Sequence, residues 1–332
     1  MDAEPATTLD VRPLTDRFGV EVRGIDLATC GPEMHRAVAD VFHRHGILVV
    51  RDQNLTPEQQ MEFSRAFGTP ATNQRLEYTY PGIPEIYVIS NKTKDGKKIG
   101  DVDAGQGWHT DGSYLAEPTS CTMLYAIEVP PEGSDTLMAD LVAAWNELPP
   151  ERQAQLEGLQ IQHSWKALME LRGLPVDPRD DTVPDVIHPM IRSHPKDGRK
   201  ALWVSTGTTR GIVGMPNPEG LNLLEELVAF VTQDRFVFRH KWQVGDVLIW
   251  DNRCTLHTGT KFDTTKYTRL VHRTWMKGDR PVKERMFFFE KKNQKTFAPV
   301  RALPVSPQLP VKRLLLPFGT HLAVIRLAPA GL

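Results

Sequence analysis

Short strand-like segments, separated by turns rich in Gly, Pro and Asp, dominate this chain after Gly107, and this pattern constrains its fold most. The clearest are Cys121–Val129, Ala201–Ser205, Val237–Trp242 and Val247–Trp250. Helical periodicity interrupts them over Pro149–Leu156 and again after Asn217. Many short strands with a few helices favour a β-sandwich or barrel on which the helices pack.

The N-terminal part of the chain mixes helices and strands. Apolar and polar residues alternate over Phe18–Leu27, which predicts a strand, and Pro32–His45 has helical spacing. A short buried strand is predicted over Gly46–Val50. A second helix is predicted to begin at Thr56, because Pro57 follows at the first turn and Gln59 can close a capping box.

Composition and charge exclude several functional classes. The 332 residues include 40 Lys and Arg against 41 Asp and Glu, a net charge of −1, so neither nucleic acid nor an anionic membrane surface is expected as a partner. No apolar run approaches the roughly 20 residues of a membrane span. Three widely spaced cysteines predict no disulfide framework and favour a reducing cytoplasm.

The C-terminal segment differs from the rest in charge and in proline content. Residues 281–332 contain nine Lys or Arg against two Asp or Glu, together with seven prolines. Prolines at this density preclude long helices and central strands. We therefore predict a working domain over 1–280 and a basic, proline-rich extension over 281–332. A solvated extension or a subunit-contact arm is favoured over a contact with an acidic partner.

Two distant motifs carry residues that bind metals. His109 and Asp111 form a His-x-Asp tripeptide, and His257 follows Asp111 by 146 residues (257 − 111). On a strand, residues two apart face the same side. Two imidazoles and one carboxylate leave coordination positions open, as in non-haem Fe(II) oxygenases. The alternatives are a zinc hydrolase with an activated water, a metal-binding shell without catalysis, and a His257 that is an ordinary core residue.

Two arginines follow His257 on one predicted strand. A strand that begins near Tyr267 places Arg269 and Arg273 on the same face, so both side chains can point inward. An unpaired buried charge is costly, and a guanidinium pairs with carboxylate in a bidentate manner. A dicarboxylate co-substrate would satisfy them. The alternative is a pair of structural salt bridges to Asp251 or Asp263.

The sequence also resembles the TauD/TfdA family of Fe(II)- and 2-oxoglutarate-dependent dioxygenases over about Val11 to Pro281. The resemblance rests on ordered segments that read GIDL (24–27), RDQNLTPEQQ (51–60), FSRAFG (63–68), WHTDGSY (108–114), GSDTLMAD (133–140), HPMIRSHPKDGRKALWV (188–204) and WDNRCTLHTGT (250–260). It implies a mainly β fold with helices and a double-stranded β-helix core, that is, a cupin-like jelly roll.

The resemblance assigns roles to six residues. His109, Asp111 and His257 would be the catalytic iron ligands, and Arg269 and Thr136 would hold the distal carboxylate of 2-oxoglutarate. Arg273 would lie near the acidic group of the primary substrate. The implied reaction uses Fe(II), 2-oxoglutarate and O₂ to hydroxylate a small anionic molecule. The family also implies a homo-oligomer.

The substrate is predicted from a stretch read as a loop, His163–Met169. Its apolar side chains, Trp165 and Met169 among them, would favour a body larger and less polar than taurine. We therefore expect a small organic acid, namely a carboxylate, sulfonate or sulfate ester, with an apolar or aromatic portion. Hydroxylation next to oxygen or sulfur would lead to ether or C–S cleavage. Lys92–Lys98 is predicted to be a solvated hairpin or a lid.

Overall fold

The computed structural model describes residues 9–102, 105–174 and 182–282, and two strands nearer the C-terminus. The chain divides into two compact units, Met1–Met286 and Phe287–Leu332. In the second unit the described residues are the strands Leu314–Phe318 and His321–Ile325, which pair with each other in antiparallel fashion. Most of the predicted extension, 281–332, lies outside the described residues.

Within the described part of the first unit the strands are short and numerous. In chain order they are β1 (Asp10–Pro13), β2 (Val20–Arg23), β3 (Ile47–Val50), β4 (Pro70–Ala71), β5 (Thr79–Tyr80), β6 (Ile83–Ser90), β7 (Thr93–Lys94), β8 (Lys97–Lys98), β9 (Cys121–Glu128), β10 (Thr136–Asp140), β11 (Gln160–His163), β12 (Val186–Pro189), β13 (Ile191–Ser193), β14 (Lys200–Leu202), β15 (Thr209–Ile212), β16 (Val237–His240), β17 (Val247–Asp251), β18 (Thr255–Gly259) and β19 (Leu270–Met276).

Six α-helices accompany these strands in the described residues. They are α1 (Pro32–His45), α2 (Pro57–Ser64), α3 (Leu141–Glu147), α4 (Pro150–Leu156), α5 (Trp165–Leu171) and α6 (Asn217–Val231). The predicted capping box is present at the start of α2. The Thr56 hydroxyl accepts a hydrogen bond from the Gln59 backbone N–H, and the Gln59 side-chain oxygen accepts one from the Thr56 backbone N–H.

Two sheets, antiparallel except for the parallel pair β2–β3, face each other and enclose the core. The larger sheet has the strand order β1-β2-β3-β17-β9-β19-β6-β5, and β4 also pairs with β19. The smaller has the order β16-β10-β18. Met138 of β10 packs with Leu248 and Trp250 of β17 and Val271 of β19 in one buried cluster. This arrangement confirms the predicted mainly β fold with a jelly-roll core.

Helices α1 and α2 cover the other face of the larger sheet. Val38 and Phe42 of α1 and Phe63 of α2 pack against the alternate side chains of β3 and β9, such as Val50 and Met123. Both faces of the central strands are therefore buried, which is why β3 (ILVV) reads as a continuous apolar run.

Three local predictions are wrong. The stretch His163–Met169, predicted to be a loop, instead ends β11 and begins helix α5, which Ser164 caps by accepting from the Ala167 backbone N–H. A helix that the periodicity did not predict, α3, begins after Asp140, whose carboxylate accepts from the backbone N–H groups of two residues in its first turn. Finally, His109 lies in an isolated β-bridge and Asp111 in the turn that follows, rather than on one regular strand.

Candidate active site

The two metal-binding motifs meet because their backbones pair. His109 and His257 form the isolated bridge, in which each backbone N–H donates to the other residue's carbonyl over 2.9 Å. His257 belongs to β18, so the smaller sheet positions one imidazole and the bridge brings the other beside it. The turn after His109 then directs Asp111 to the same place. Residues 146 positions apart (257 − 111) thus share one site.

The three side chains present a compact set of donor atoms. The donor atoms of His109, Asp111 and His257 all lie within 4.8 Å of one another. The His109 Nε2–Asp111 Oδ1 distance is 3.7 Å, and the His257 Nε2–Asp111 Oδ2 distance is 3.5 Å. His109 Nδ1 lies 2.7 Å from the Gly107 carbonyl oxygen, so Nδ1 carries the proton and Nε2 is left to bind a metal. Two imidazoles and a carboxylate fit a divalent ion such as Fe(II).

Electrostatics keep two of these groups in the forms that bind metals. Burial alone would raise the pKa of the Asp111 carboxyl, but His257, His109 and Arg273 outweigh burial and hold that pKa below its usual range. Burial lowers the pKa of His257 to about 3. At neutral pH the site therefore offers a carboxylate and a neutral imidazole, which are the ligating forms.

A chain of buried hydrogen bonds holds the Asp111 carboxylate from behind. The Thr122 hydroxyl donates to Asp111 Oδ2 over 2.7 Å, and the Asn252 side-chain amide donates to the Thr122 oxygen over 2.9 Å. The Trp250 indole N–H in turn donates to Asn252 Oδ1 over 3.1 Å. Thr122 and Asn252 are fully buried. Sequence reasoning missed Thr122 and gave Asn252 no role.

Arg269 is a buried cation with an unsatisfied donor. Its side chain is largely buried, its Nε has no hydrogen-bond partner in the described residues, and burial lowers its pKa to about 10. Thr136 is also buried, and its oxygen accepts from the Trp242 indole N–H over 3.1 Å. The Thr136 hydroxyl proton is therefore left to donate to another group. Both residues fit a carboxylate ligand.

Arg273 lies next to the metal-binding side chains. Its Nη1 is 3.8 Å from Asp111 Oδ1, and its guanidinium lies between two aromatic rings, 4.6 Å from the centroid of Tyr87 and 4.3 Å from that of Trp275. The alternative of structural salt bridges is wrong for the partners named. Asp251 pairs with Arg253 and His194, and Asp263 pairs with Lys266.

A cavity of about 610 Å³ opens over this site, a volume typical of sites for drug-sized ligands. Its walls carry the aromatic side chains of Trp108, Tyr114, Trp165 and others, together with Leu168 of α5. Trp165 is therefore a wall residue. Met169 is fully buried behind the wall, and its sulfur accepts a hydrogen bond from Arg75 over 3.0 Å.

An ion pair ties the end of α5 to the floor of the cavity. Arg172 Nη2 lies 2.9 and 3.1 Å from the two oxygens of Asp101. The Tyr87 hydroxyl donates to Asp101 over 2.9 Å, and the Tyr87 ring supports Arg273. The sequence carries no signal for this network, because its members come from three separate segments.

Residues 92–98 form a hairpin of β7 and β8 with exposed strand residues. None of these residues lines the cavity. Asp95 and Gly96 at the turn both have positive φ, as a tight two-residue connection requires. The hairpin alternative of the prediction therefore describes its geometry, and its role as a lid stays a prediction.

Comparison with known proteins adds a family and several relatives. The model of the family "Taurine catabolism dioxygenase TauD, TfdA family" matches residues 10–275. An alpha-ketoglutarate-dependent 2,4-dichlorophenoxyacetate dioxygenase of Cupriavidus pinatubonensis is 34% identical over 275 residues, which is 79% of this chain and 96% of that protein. An alpha-ketoglutarate-dependent sulfate ester dioxygenase of Pseudomonas putida is 29% identical and covers 84% of this chain and 93% of its own.

Solved structures agree with the sequence comparison. AAD-2, crystallised with Mn(II) and N-oxalylglycine, superposes with a TM-score of 0.71 at 30% identity, covering 83% of this chain and 99% of its own. A taurine dioxygenase from Burkholderia xenovorans gives a TM-score of 0.69 at 31% identity, covering 82% of this chain and 91% of its own. None of these four relatives is named as a hydrolase.

Proposed function

The chain belongs to the TauD/TfdA dioxygenase family and is a 2-oxoglutarate-dependent non-haem iron dioxygenase that acts on a small organic acid; we propose that His109, Asp111 and His257 are its iron ligands and that the acid has an apolar or aromatic body. One observation carries the ligand assignment. The three donor groups, which come from a bridge, a turn and a strand, converge within 4.8 Å.

Each chemical task of the proposed reaction falls to a different part of the chain. Ferrous iron, which His109, Asp111 and His257 would hold, would supply the oxidation that hydroxylates a C–H bond of the substrate while 2-oxoglutarate and O₂ are converted to succinate and CO₂. Arg269 and Thr136 orient the co-substrate by its distal carboxylate, since both keep free donors in a buried setting. Arg273 binds the acidic group of the primary substrate, because its guanidinium borders both Asp111 and the cavity.

The cavity walls support the class of substrate. Relatives named above act on a phenoxyacetate and on sulfate esters. In this chain aromatic side chains of Trp108, Tyr114 and Trp165 surround the space beside Arg273. An acid whose carbon next to oxygen or sulfur faces the metal would be hydroxylated there. The product would then collapse with cleavage of the ether or C–S bond.

Three broader expectations belong to the same proposal. Residues 1–280 form the catalytic domain, and the protein is a homo-oligomer of the cytoplasm. All three cysteines are free and two are buried, which supports a reducing compartment. No helix among the described residues is long and apolar enough to cross a membrane.

The test follows 2-oxoglutarate binding and turnover. We expect purified protein with Fe(II) and 2-oxoglutarate to show a visible absorption band without oxygen, and to form succinate with O₂ and an accepted acid. Asp111→Ala should abolish both signals, because it removes a ligand. The control Asp197→Ala removes a carboxylate that pairs with Arg199 outside the cavity, and it should keep both.

Two results would contradict the proposal. A protein that neither binds 2-oxoglutarate by calorimetry nor decarboxylates it with any carboxylate, sulfonate or sulfate ester is not such a dioxygenase. Zinc-dependent hydrolysis without succinate would favour the hydrolase alternative. Retention of the band in Asp111→Ala would exclude Asp111 as a ligand.

A further inference from the structure

Resting on the proposed function, we propose that Arg75 forms a second anion subsite in the wall of the cavity, and that the primary substrate carries a second acidic group besides the one that Arg273 binds. The residue lies on the segment before β5, and its side chain lines the same cavity as Arg273. Neither the sequence motifs nor the catalytic machinery uses it.

The contacts of Arg75 leave most of its donors available. A guanidinium has five N–H donors. Among the described residues Arg75 Nη1 makes one contact of 3.4 Å with Glu77, whose side chain is 41% exposed. Its Nη2 donates to the Met169 sulfur, which is a weak acceptor. An exposed pair of this kind contributes little, so Arg75 is only partly neutralised.

Two of the cavity arginines, Arg75 and Arg273, have no bidentate carboxylate partner among the described residues, and they contact different side chains. Arg273 lies against Tyr87, Trp275 and Asp111. Arg75 instead reaches across to α5, where it contacts Met169. Among the described residues the contacts of Arg75 and those of Arg273 have no member in common, which favours a separate anion for each.

Charge balance points to the same conclusion. The cavity wall carries three arginines (Arg75, Arg172 and Arg273) and two aspartates (Asp101 and Asp111). Arg172 is neutralised by Asp101. The double charge of 2-oxoglutarate balances Arg269 and one charge of a divalent ion, while Asp111 balances the other. A monoanionic substrate then neutralises Arg273, and Arg75 is left with only its partial pairing to the exposed Glu77. A second acid would neutralise it.

The cavity has room for such a molecule. Arg269 and Thr136 are not among the residues that line its volume of about 610 Å³. This volume therefore does not include the distal end of the proposed co-substrate site. The aromatic side chains that line the same cavity as the two arginines suit a flat apolar body. The ligand class is therefore an acid at each end of an aromatic or apolar spacer.

The experiment compares matched acids on the protein loaded with Mn(II) and N-oxalylglycine. One pair is para-methylphenoxyacetate and para-carboxyphenoxyacetate, and the other is para-toluenesulfonate and para-sulfobenzoate. Dissociation constants are measured by calorimetry for the wild type, Arg75→Gln, Arg75→Lys and Arg210→Gln. Arg210 pairs with Glu170 of α5 outside the cavity and serves as the matched control.

We expect the wild type to bind the diacid of at least one pair about tenfold more tightly than its monoacid, as a charge-assisted hydrogen bond provides. Arg75→Gln should remove this preference and change monoacid binding less than about twofold. Arg75→Lys should keep part of it, and Arg210→Gln should keep all of it.

Three outcomes would overturn the subsite. The first is that the wild type binds neither diacid more tightly than its monoacid, or binds none of the acids. The second is that Arg75→Gln weakens binding of both members of a pair equally, and the third is that Arg210→Gln also removes the diacid preference. Failure of the proposed function looks different, because the protein would then not bind 2-oxoglutarate or N-oxalylglycine.

Discussion

The Asp111 carboxylate shows how a single hydroxyl can orient a metal ligand. Thr122 donates to Oδ2, and Asn252 fixes the Thr122 oxygen, so the hydroxyl proton has one direction left. Partners of this kind commonly change metal affinity by about 10–100-fold when they are removed. Because Thr122 lies on β9 of the larger sheet, the rigid sheet sets the orientation of the ligand.

Replacing Thr122 tests this role. We expect Thr122→Val to lower Mn(II) affinity about tenfold, because it keeps the side-chain shape and removes the donor to Asp111. The measurement is calorimetric titration of the metal-free protein, which does not depend on turnover.

The conservative variant separates positioning from packing. Thr122→Ser keeps the hydroxyl, so its Mn(II) affinity should stay within about threefold of the wild type. If Thr122→Ser loses as much affinity as Thr122→Val, packing of the methyl group accounts for the effect and the hydroxyl does not orient the ligand.

The sequence reveals ligands more readily than the residues that hold them. His109, Asp111 and His257 were predicted because metal chemistry demands those residue types and because the motif resembles a known family. Thr122 carries no such signal. Its role depends on the antiparallel register that places Thr122 opposite Trp250 on β17, a long-range pairing that local patterns do not encode.

At the scale of elements, α5 is fixed at both ends over the cavity. Ser164 caps its start, and Arg172 at its end pairs with Asp101. Since Asp101 also accepts from Tyr87, which lies under Arg273, the docking of α5 and the placement of the anion anchor depend on the same carboxylate.

Breaking this ion pair should weaken substrate binding selectively. We expect Arg172→Met to raise the KM for the primary acid several-fold and to leave the KM for 2-oxoglutarate within about twofold, because removing one partner of a partly buried pair frees α5. Limited proteolysis should cut the variant faster near 172. The readout is steady-state succinate formation.

A double-mutant cycle provides the control. Asp101→Asn and the double variant should each raise the KM about as much as Arg172→Met alone, because the effects of contacting residues are not additive. Independent, multiplying effects would show that Asp101 and Arg172 do not act as one unit. Equal increases in both KM values would indicate general damage to the site.

The helices show where local patterns are informative. Helix α1 has the predicted bounds, since its apolar spacing and the glycine at 46 mark both the face and the end. Helix α5 was read as a loop because seven residues are too few for periodicity to settle, although Ser164 is a standard N-cap residue. Its position over the cavity is decided by Asp101, which no local pattern reveals.

At the scale of the whole molecule, the fold buries several ionisable rings, among them His163 on β11 and His272 on β19. Burial lowers the pKa of His163 to about 3 and that of His272 to about 4. Both are therefore neutral in the folded protein at pH values where the unfolded chain, near 6.5, takes up protons. Their contribution to stability is complete above the unfolded pKa and is lost as pH falls towards the folded value.

We therefore expect the free energy of unfolding to decrease on acidification. Between about pH 7.5 and 5.5, each such histidine should lower the free energy of unfolding by about 1.4 kcal/mol, because the unfolded state gains one proton that the folded state does not. Urea denaturation at the two pH values measures the change.

His272 offers the matched variant. Its ring packs edge-on against Tyr80 at 5.3 Å and it is no metal ligand, so His272→Phe keeps an aromatic ring without a titrating group. Over the same pH range, the free energy of unfolding of His272→Phe should decrease by about 1.4 kcal/mol less than that of the wild type. An unchanged pH dependence would mean that His272 is protonated in the folded protein.

Two kinds of chain segment form the site and its cavity. The proposed metal ligands lie on β18, its bridge and the turn that follows, whereas Arg75, Leu168 and Arg172 come from a seven-residue helix and the short connections beside it. Arg172 is coupled to Arg273 through Asp101 and Tyr87, whereas no such link is seen for Arg75 and Leu168 among the described residues. A library confined to Arg75 and Leu168 would thus retune selectivity while leaving the catalytic apparatus intact, which makes the scaffold a practical starting point for engineering.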